Sequence, residues 1–407
     1  MNERLKHKIH HNLQRARTSV KWVIFAIISG IVVGAVGTLF YFCMAYVTAS
    51  RAEYPWLIWL LPFGGLLIVG AYHLLHDEKD SGTNLVLSSI HSGDNLPARM
   101  APLIFVSTLI THLLGGSAGR EGAALQLGGS IGNEIGKLFR FNEKDKHIMT
   151  MCGMAAAIFS MEVVSVGIMH YSALVPCVIA SLIAHSLATR FGAEAELFLL
   201  GEIPAFTIGS AVKITALAAL CALISILFCI LLHQSEHLYH KFFPNPYIRI
   251  FAGGCIVIVL TLLVGSQTYN GSGIALIKPA MKGEARWEMF LLKMLFTAAT
   301  LGAGFKGGEI VPSFCIGGTF GCLFGNLLGF SPSLCTAVGM TAVFCGVTNC
   351  PITSLLISFE LFGYEGMPYF LLTAAFSYML SGYYGLYHSQ KIMYSKFKAN
   401  YINKKAE

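Results

Sequence analysis

Residues 119–132 read "GREGAALQLGGSIG", and residues 307–321 read "GGEIVPSFCIGGTFG". Each is a glycine-rich turn with a glutamate, followed by an apolar helix carrying a GG-x-x-G pattern. Each is followed by a GM-x-A segment, "GMAAA" at 153–157 and "GMTA" at 339–342. Aligning Gly128 with Gly317 gives an offset of 189 (317 minus 128), nearly half of the 407 residues. A repeat on this scale predicts two homologous halves.

The surroundings of both stretches are lipid-like. The chain is 55% hydrophobic and 12% charged, against about 25% charged for soluble domains. Apolar runs long enough for a bilayer core lie at 21–47, 56–75, 98–118, 208–233, 248–266, 287–303 and 367–386. Shorter apolar pieces at 121–138, 309–328 and 332–345 are broken by glycine. Interrupted helices are tolerated in membranes only where protein or a cavity surrounds them. These features predict an all-α, polytopic membrane protein with two inverted-topology repeats and discontinuous helices. The organisation expected is a basic arm over 1–19, a transmembrane domain over 20–390 and a basic tail over 391–407. The repeats divide that domain at about 20–200 and 205–390.

The arm is too basic and its apolar run too long for a cleaved signal. Arg4, Lys6, Lys8, Arg15, Arg17 and Lys21 lie in it, and the tail is basic as well. The positive-inside rule places both ends in the cytoplasm, in a bacterial inner membrane. The net charge of +7 therefore reports topology and contact with acidic lipid. It is no nucleic-acid footprint. The eleven cysteines form no CxxC pair and read as small core residues. No cofactor and no resident metal is expected.

Four acids lie deep in apolar sequence: Glu121, Glu162, Glu309 and Glu360. Intramembrane charge is costly and marks ion or proton paths. Glu121 and Glu309 follow glycines Gly119, Gly307 and Gly308 at helix starts. Such starts offer unpaired N–H groups to an anion. A carboxylate tethered there occupies the site as a surrogate anion and leaves when protonated. Glu162 and Glu360 end apolar helices at matched positions and read as structural. His112 reads as a satisfied helix polar group.

At these residues the chain resembles the CLC chloride channels and proton-coupled antiporters. "GREGAALQLGGSIG" is similar to the family's GREGP gate, "GGEIVP" to its GxFxP motif, and "KIMYS" to its central pore tyrosine, here Tyr394. The resemblance spans about 20–400. It implies a transporter rather than an enzyme, a homodimer with one pore per subunit, and backbone donors near Ser81, Gly122 and Ile310 around the ion.

Departures from the chloride pattern point to the fluoride/proton antiporter branch. The GSGIP motif appears as "DSGTN" at 80–84, with Thr83 at or near the selectivity position, or Ser81 if the motif is shifted by a residue. Val163 stands where an inner relay acid is usual, and Glu309 is an additional acid. The expected function is fluoride export coupled to proton import, with Glu121 as gate and proton carrier and Glu309 as a second protonatable group. Tyr394 and Thr83 are expected at the ion. The alternative is a chloride channel or chloride/proton antiporter. A remote third reading is a zinc hydrolase at "HQSEH", residues 233–237. One irregularity remains: Gly153 to Glu162 spans ten residues, whereas Gly339 to Glu360 spans twenty-two. The first half lacks twelve residues after Ala157, which bears on transport competence and dimer packing.

Overall fold

The computed structural model describes residues 3–77, 82–92, 96–158, 171–194, 197–398 and 400–406. Its first half contains α1 (Glu3–Glu53), a 3-10 turn (Pro55–Leu60), α2 (Leu61–Leu74), α3 (Thr83–Ser92), α4 (Met100–Leu113), α5 (Glu121–Leu138), α6 (Glu143–Ile158) and α7 (Tyr171–Arg190). The second contains α8 (Ile208–Phe242), α9 (Pro246–Val264), α10 (Ile274–Met281), α11 (Met289–Gly302), α12 (Ile310–Leu327), α13 (Pro332–Thr348), α14 (Pro351–Phe362) and α15 (Met367–Leu380). A small antiparallel hairpin, β1 (Lys391–Tyr394) with β2 (Tyr401–Lys405), completes the tail. The fold is thus mostly helical, and the hairpin is its one departure from the all-α expectation.

The repeat is visible in the element boundaries. Met100 and Met289 open α4 and α11, and Leu138 and Leu327 close α5 and α12. Both pairs keep the 189-residue offset. The α5–α6 and α12–α13 crossings are built alike. A Cβ on Gly128 would collide with the carbonyl of Gly153, and one on Gly317 with that of Gly339. Backbone therefore meets backbone at both crossings, which small residues allow in membranes.

Among the described residues, six helices are long and apolar enough to cross a membrane. Three stretches read from the sequence as spans are instead short helices: α4, α11 and α15, of 14 residues each. At about 1.5 Å per residue they cover some 21 Å, less than a bilayer core. Glycines in the left-handed region follow two of them, Gly115 after α4 and Gly304 after α11. The chain turns there inside the protein. The basic arm is continuous with the first span, since no proline interrupts α1.

Some helix starts carry side-chain caps, while those of α2, α4, α10, α11, α14 and α15 carry none. Thr207 and Ser210 form a capping box on α8, Asn245 caps α9, and Ser331 caps α13. The starts of α5 and α12 carry no side-chain cap bond from their N-cap residues, Arg120 and Glu309. Their first N–H groups are left to the site.

Candidate functional site: two helix starts joined back to back

The turns before α5 and α12 meet in an antiparallel bridge. Gly119 N–H donates to the Gly308 carbonyl at 2.6 Å, and Gly308 N–H donates to the Gly119 carbonyl at 2.8 Å. Gly122 is the hub beside it. A Cβ there would lie 2.9 Å from Gly308 Cα, and 3.6 Å from both Thr83 Oγ1 and Glu309 Oε2. Three helix starts, those of α3, α5 and α12, thus converge on one glycine. Their N-terminal partial charges sum at a point where no Cβ intervenes.

The two glutamates are not equivalent by the repeat. Glu121 is the first residue of α5, whereas Glu309 is the N-cap of α12, so Glu309 aligns with Arg120 and Glu121 with Ile310. The one-residue shift sends them to different cavities. Glu121 lines one cavity, named outer after the expected topology, with Tyr41, Arg120, Ile310, Phe314 and Glu360. Glu309 lines a cavity of about 890 Å³ with Thr83, Gln126, Lys306 and Tyr387. The bridge lies between them.

The Glu121 carboxylate folds back on its own helix start. Oε2 accepts the Arg120 backbone N–H at 3.1 Å, and Oε1 sits 3.3 Å from Arg120 Nε. The guanidinium lies over the Tyr41 ring at 5.1 Å. The carboxylate therefore lies against a backbone N–H at the start of its own helix. Glu309 Oε2 is buried and meets no donor among the described residues. Ile310 is buried and packs with Leu125 and Phe344. Gly307 lies against Ala118, where a Cβ would overlap the alanine side chain.

Thr83 Oγ1 accepts from Gln126 Nε2 at 3.1 Å, and Gln126 Oε1 is buried without a donor among the described residues. Gln126 and Tyr387 were missed in the sequence. Gln126 was legible in principle, as one of two buried amides on α5, the other being Asn133. Tyr394 is not brought to the site. It is 63% exposed on β1 and packs edge-to-face on Tyr401. Tyr387, buried at 7%, lies at the inner cavity instead. The reason is the course of the tail: Ser389 bonds through N and Oγ to Asn84 Oδ1, which pins residues 386–389 beside the start of α3. Glu360, read as structural, lines the outer cavity with Glu121. His112 is bonded through Nδ1 to the Thr108 carbonyl, while its buried Nε2 meets no partner among the described residues, so the expected satisfaction holds for one nitrogen only. Ser81, Glu162, Val163 and the region of the twelve-residue deficit lie outside the described residues.

Lys293 was also missed, although "FLLKMLF" places a lone cation in an apolar run. It is fully buried. Its Nζ donates to Ser117 Oγ at 2.9 Å and to the carbonyls of Tyr269 at 3.1 Å and Gly271 at 2.6 Å. It ties the gate turn to the 269–271 loop.

The "HQSEH" residues lie on α8, with no zinc-type grouping. His233 stacks on His388 and His240 Nδ1 contacts Arg249. No three ligand-type side chains gather around a metal position among the described residues.

The family model described as "Voltage gated chloride channel" matches residues 64–382. The chain belongs to this CLC family. It is 33% identical over 396 residues to a "Chloride/fluoride channel protein" of Pseudomonas syringae pv. tomato, covering 92% of this chain and 87% of that one. It is 26% identical to an H(+)/Cl(-) exchange transporter of Vibrio cholerae, over 88% of this chain and 85% of that one. Among solved structures, a CLC-type fluoride/proton antiporter superposes with a TM-score of 0.87 at 30% identity, covering 91% of this chain and 98% of that one. A cyanobacterial Cl-/H+ antiporter superposes with a TM-score of 0.76 at 20% identity, covering 88% and 94%, which shows the shared fold. The chain is a multi-pass CLC membrane protein and an anion transporter, and its bridged turns fall inside the matched region.

Proposed function

We propose that this CLC protein exports fluoride in exchange for protons. The observation that carries this reading is the bridge, with an acid in each of the two cavities beside it. Glu121, protonated from the outer cavity, leaves the helix start and opens it to an anion. Backbone N–H groups around Gly122 replace part of the ion's water shell. Fluoride is small, strongly hydrated and basic, so it suits a site that also holds an acidic O–H; hydrogen bonds to charged groups are the strong ones. Glu309 takes and returns the proton on the inner side. Thr83, Gln126 and Tyr387 orient the inner end of the path, and Ser81 belongs to the same motif. The protein acts as a homodimer in a bacterial inner membrane, with both termini cytoplasmic, as the basic arm and tail require.

The chloride reading draws on a relative named for chloride exchange that covers 88% of the chain, against 92% for the one named for both ions. The test is anion efflux from liposomes loaded with fluoride or chloride, with external pH recorded. Fluoride efflux with proton uptake, abolished by Glu121→Gln, is expected. Chloride flux of equal or greater size overturns the fluoride assignment.

A further inference from the structure

The inner cavity holds a motif that the anion site does not use. His233 of α8 stacks on His388 of the tail loop, ring centroids 3.8 Å apart and planes at 30°. Both rings line the cavity that contains Glu309. We propose that the His233–His388 pair, with Glu236 beside it, is a proton-exit relay that carries protons from Glu309 to the tail-side solution. The inference rests on the antiport reading above.

Three observations support it. First, a proton that reaches Glu309 has to leave on the inner side before the cycle repeats, and Glu309 Oε2 meets no donor among the described residues. Cavity water is the medium left to receive its proton. Second, imidazole exchanges protons near neutral pH, and Nε2 of His233 lies 3.4 Å from the Leu386 carbonyl. That oxygen only accepts, so the ring presents Nδ1 to an incoming proton. Third, two cationic rings at 3.8 Å repel each other. The pair therefore carries one proton at a time and gives it up readily, as a relay must.

The other titratable and charged groups lining the cavity come from every element around it. Glu236 and His240 belong to α8, Tyr72 and His73 to α2, and Tyr247 and Arg249 to α9. Lys306 and Glu309 come from the loop before α12, Tyr387 from the tail loop and Lys405 from β2. The cations favour an anion entering from this side, and Glu236 is exposed, where it passes protons to bulk water. In the relay, the O–H bond of Glu309 breaks, a proton crosses cavity water, an N–H bond forms at His233 or His388, and the ring returns the proton to solution.

The test is coupled fluoride–proton exchange in liposomes by the wild type, His233→Ala, His388→Ala and the double variant, with and without imidazole. Each variant's rate is read against the wild type in the same buffer. The double variant is expected to lose about tenfold in rate. This is below the hundredfold of a positioned general base, because water still carries some protons. Imidazole restores most of that loss, whereas a bulky buffer of equal basicity does not. Rates equal to wild type without imidazole overturn the relay. So does a loss that imidazole fails to restore in a variant that melts like the wild type: the rings then only pack the Tyr387 loop. If the wild type itself moves no protons with fluoride, the antiport reading fails instead.

Discussion

Replacing Gly308 with alanine puts a methyl group where the two helix starts touch. Its Cβ would lie 2.5 Å from Gly122 N and 2.9 Å from Gly122 Cα. Comfortable carbon contacts are about 3.5 Å or more, so the turns have to part by about 1 Å. Both obstructing atoms are backbone, so no side chain can swing away. Overpacking of this kind costs about 1–3 kcal/mol. The bridge bonds at 2.6 and 2.8 Å weaken with it, each worth about 1 kcal/mol. The sum is about 4 kcal/mol, a fall in melting temperature on the order of 5 °C. Transport suffers more, because a 1 Å misplacement of a reacting geometry can cost about a hundredfold. The repeat partner is milder. A Cβ on Gly119 meets the Gly308 carbonyl and Pro312 Cδ at 3.1 Å and Glu121 Oε2 at 3.2 Å, contacts that yield by a few tenths of an ångström. Gly70, with nothing within 4 Å, is the neutral control. Thermal melts in detergent and liposome flux, run on all three alanine variants, should rank Gly308 below Gly119 and Gly119 below Gly70. A Gly308→Ala protein that melts and transports like the Gly70→Ala control would refute the backbone-contact argument.

Tyr387→Phe and Tyr394→Phe separate the two tyrosines: the first should change fluoride flux or its ratio to chloride flux, and the second should change neither, both read in the same liposome assay. Lys293→Met leaves the Tyr269 and Gly271 carbonyls without their donor, at about 1–3 kcal/mol each, and should lower the melting temperature by several degrees more than Lys293→Arg does. Lys396 lies in the tail with its Nζ donating to Ser381 Oγ at 3.1 Å, and burial pulls its pKa from 10.5 down to about 8. Between those two values the unfolded chain binds more protons than the folded one, so this group's contribution to stability rises with pH. The melting temperature of the wild type relative to Lys396→Met should therefore move in the wild type's favour between pH 8 and pH 10.

Much of this architecture is written locally. Gly128-Gly129 and Gly317-Gly318 expose the repeat because a backbone-to-backbone crossing tolerates no Cβ, and the requirement falls on both halves alike. Glu121 was legible because a carboxylate at a glycine-rich helix start in lipid has few other uses. What was hidden depends on long-range geometry. Tyr387 and Tyr394 are seven positions apart in a tail rich in tyrosine, and long-range contacts such as Asn84–Ser389 and Val347–Leu386 decide which one returns to the site. The short reach of α4 and α11 was masked because their apolar runs continue through the turns that end them. The inequivalence of Glu121 and Glu309 needed the offset read to the residue, since matching the motifs by eye places one acid on the other.

The convergence of α3, α5 and α12 on Gly122 has a consequence for how such a protein varies over time. On the proposed reading, most of the groups offered to the ion belong to the peptide backbone, which only a change to proline removes. On the same reading, side chains at the periphery such as Thr83 and Gln126 are the ones whose exchange retunes which halide passes. The proposed capacity to hold an anion then resides in the absence of a methyl group at Gly119, Gly122 and Gly308. Null alleles should accumulate at these glycines, and alleles with altered ion preference at the polar residues around them.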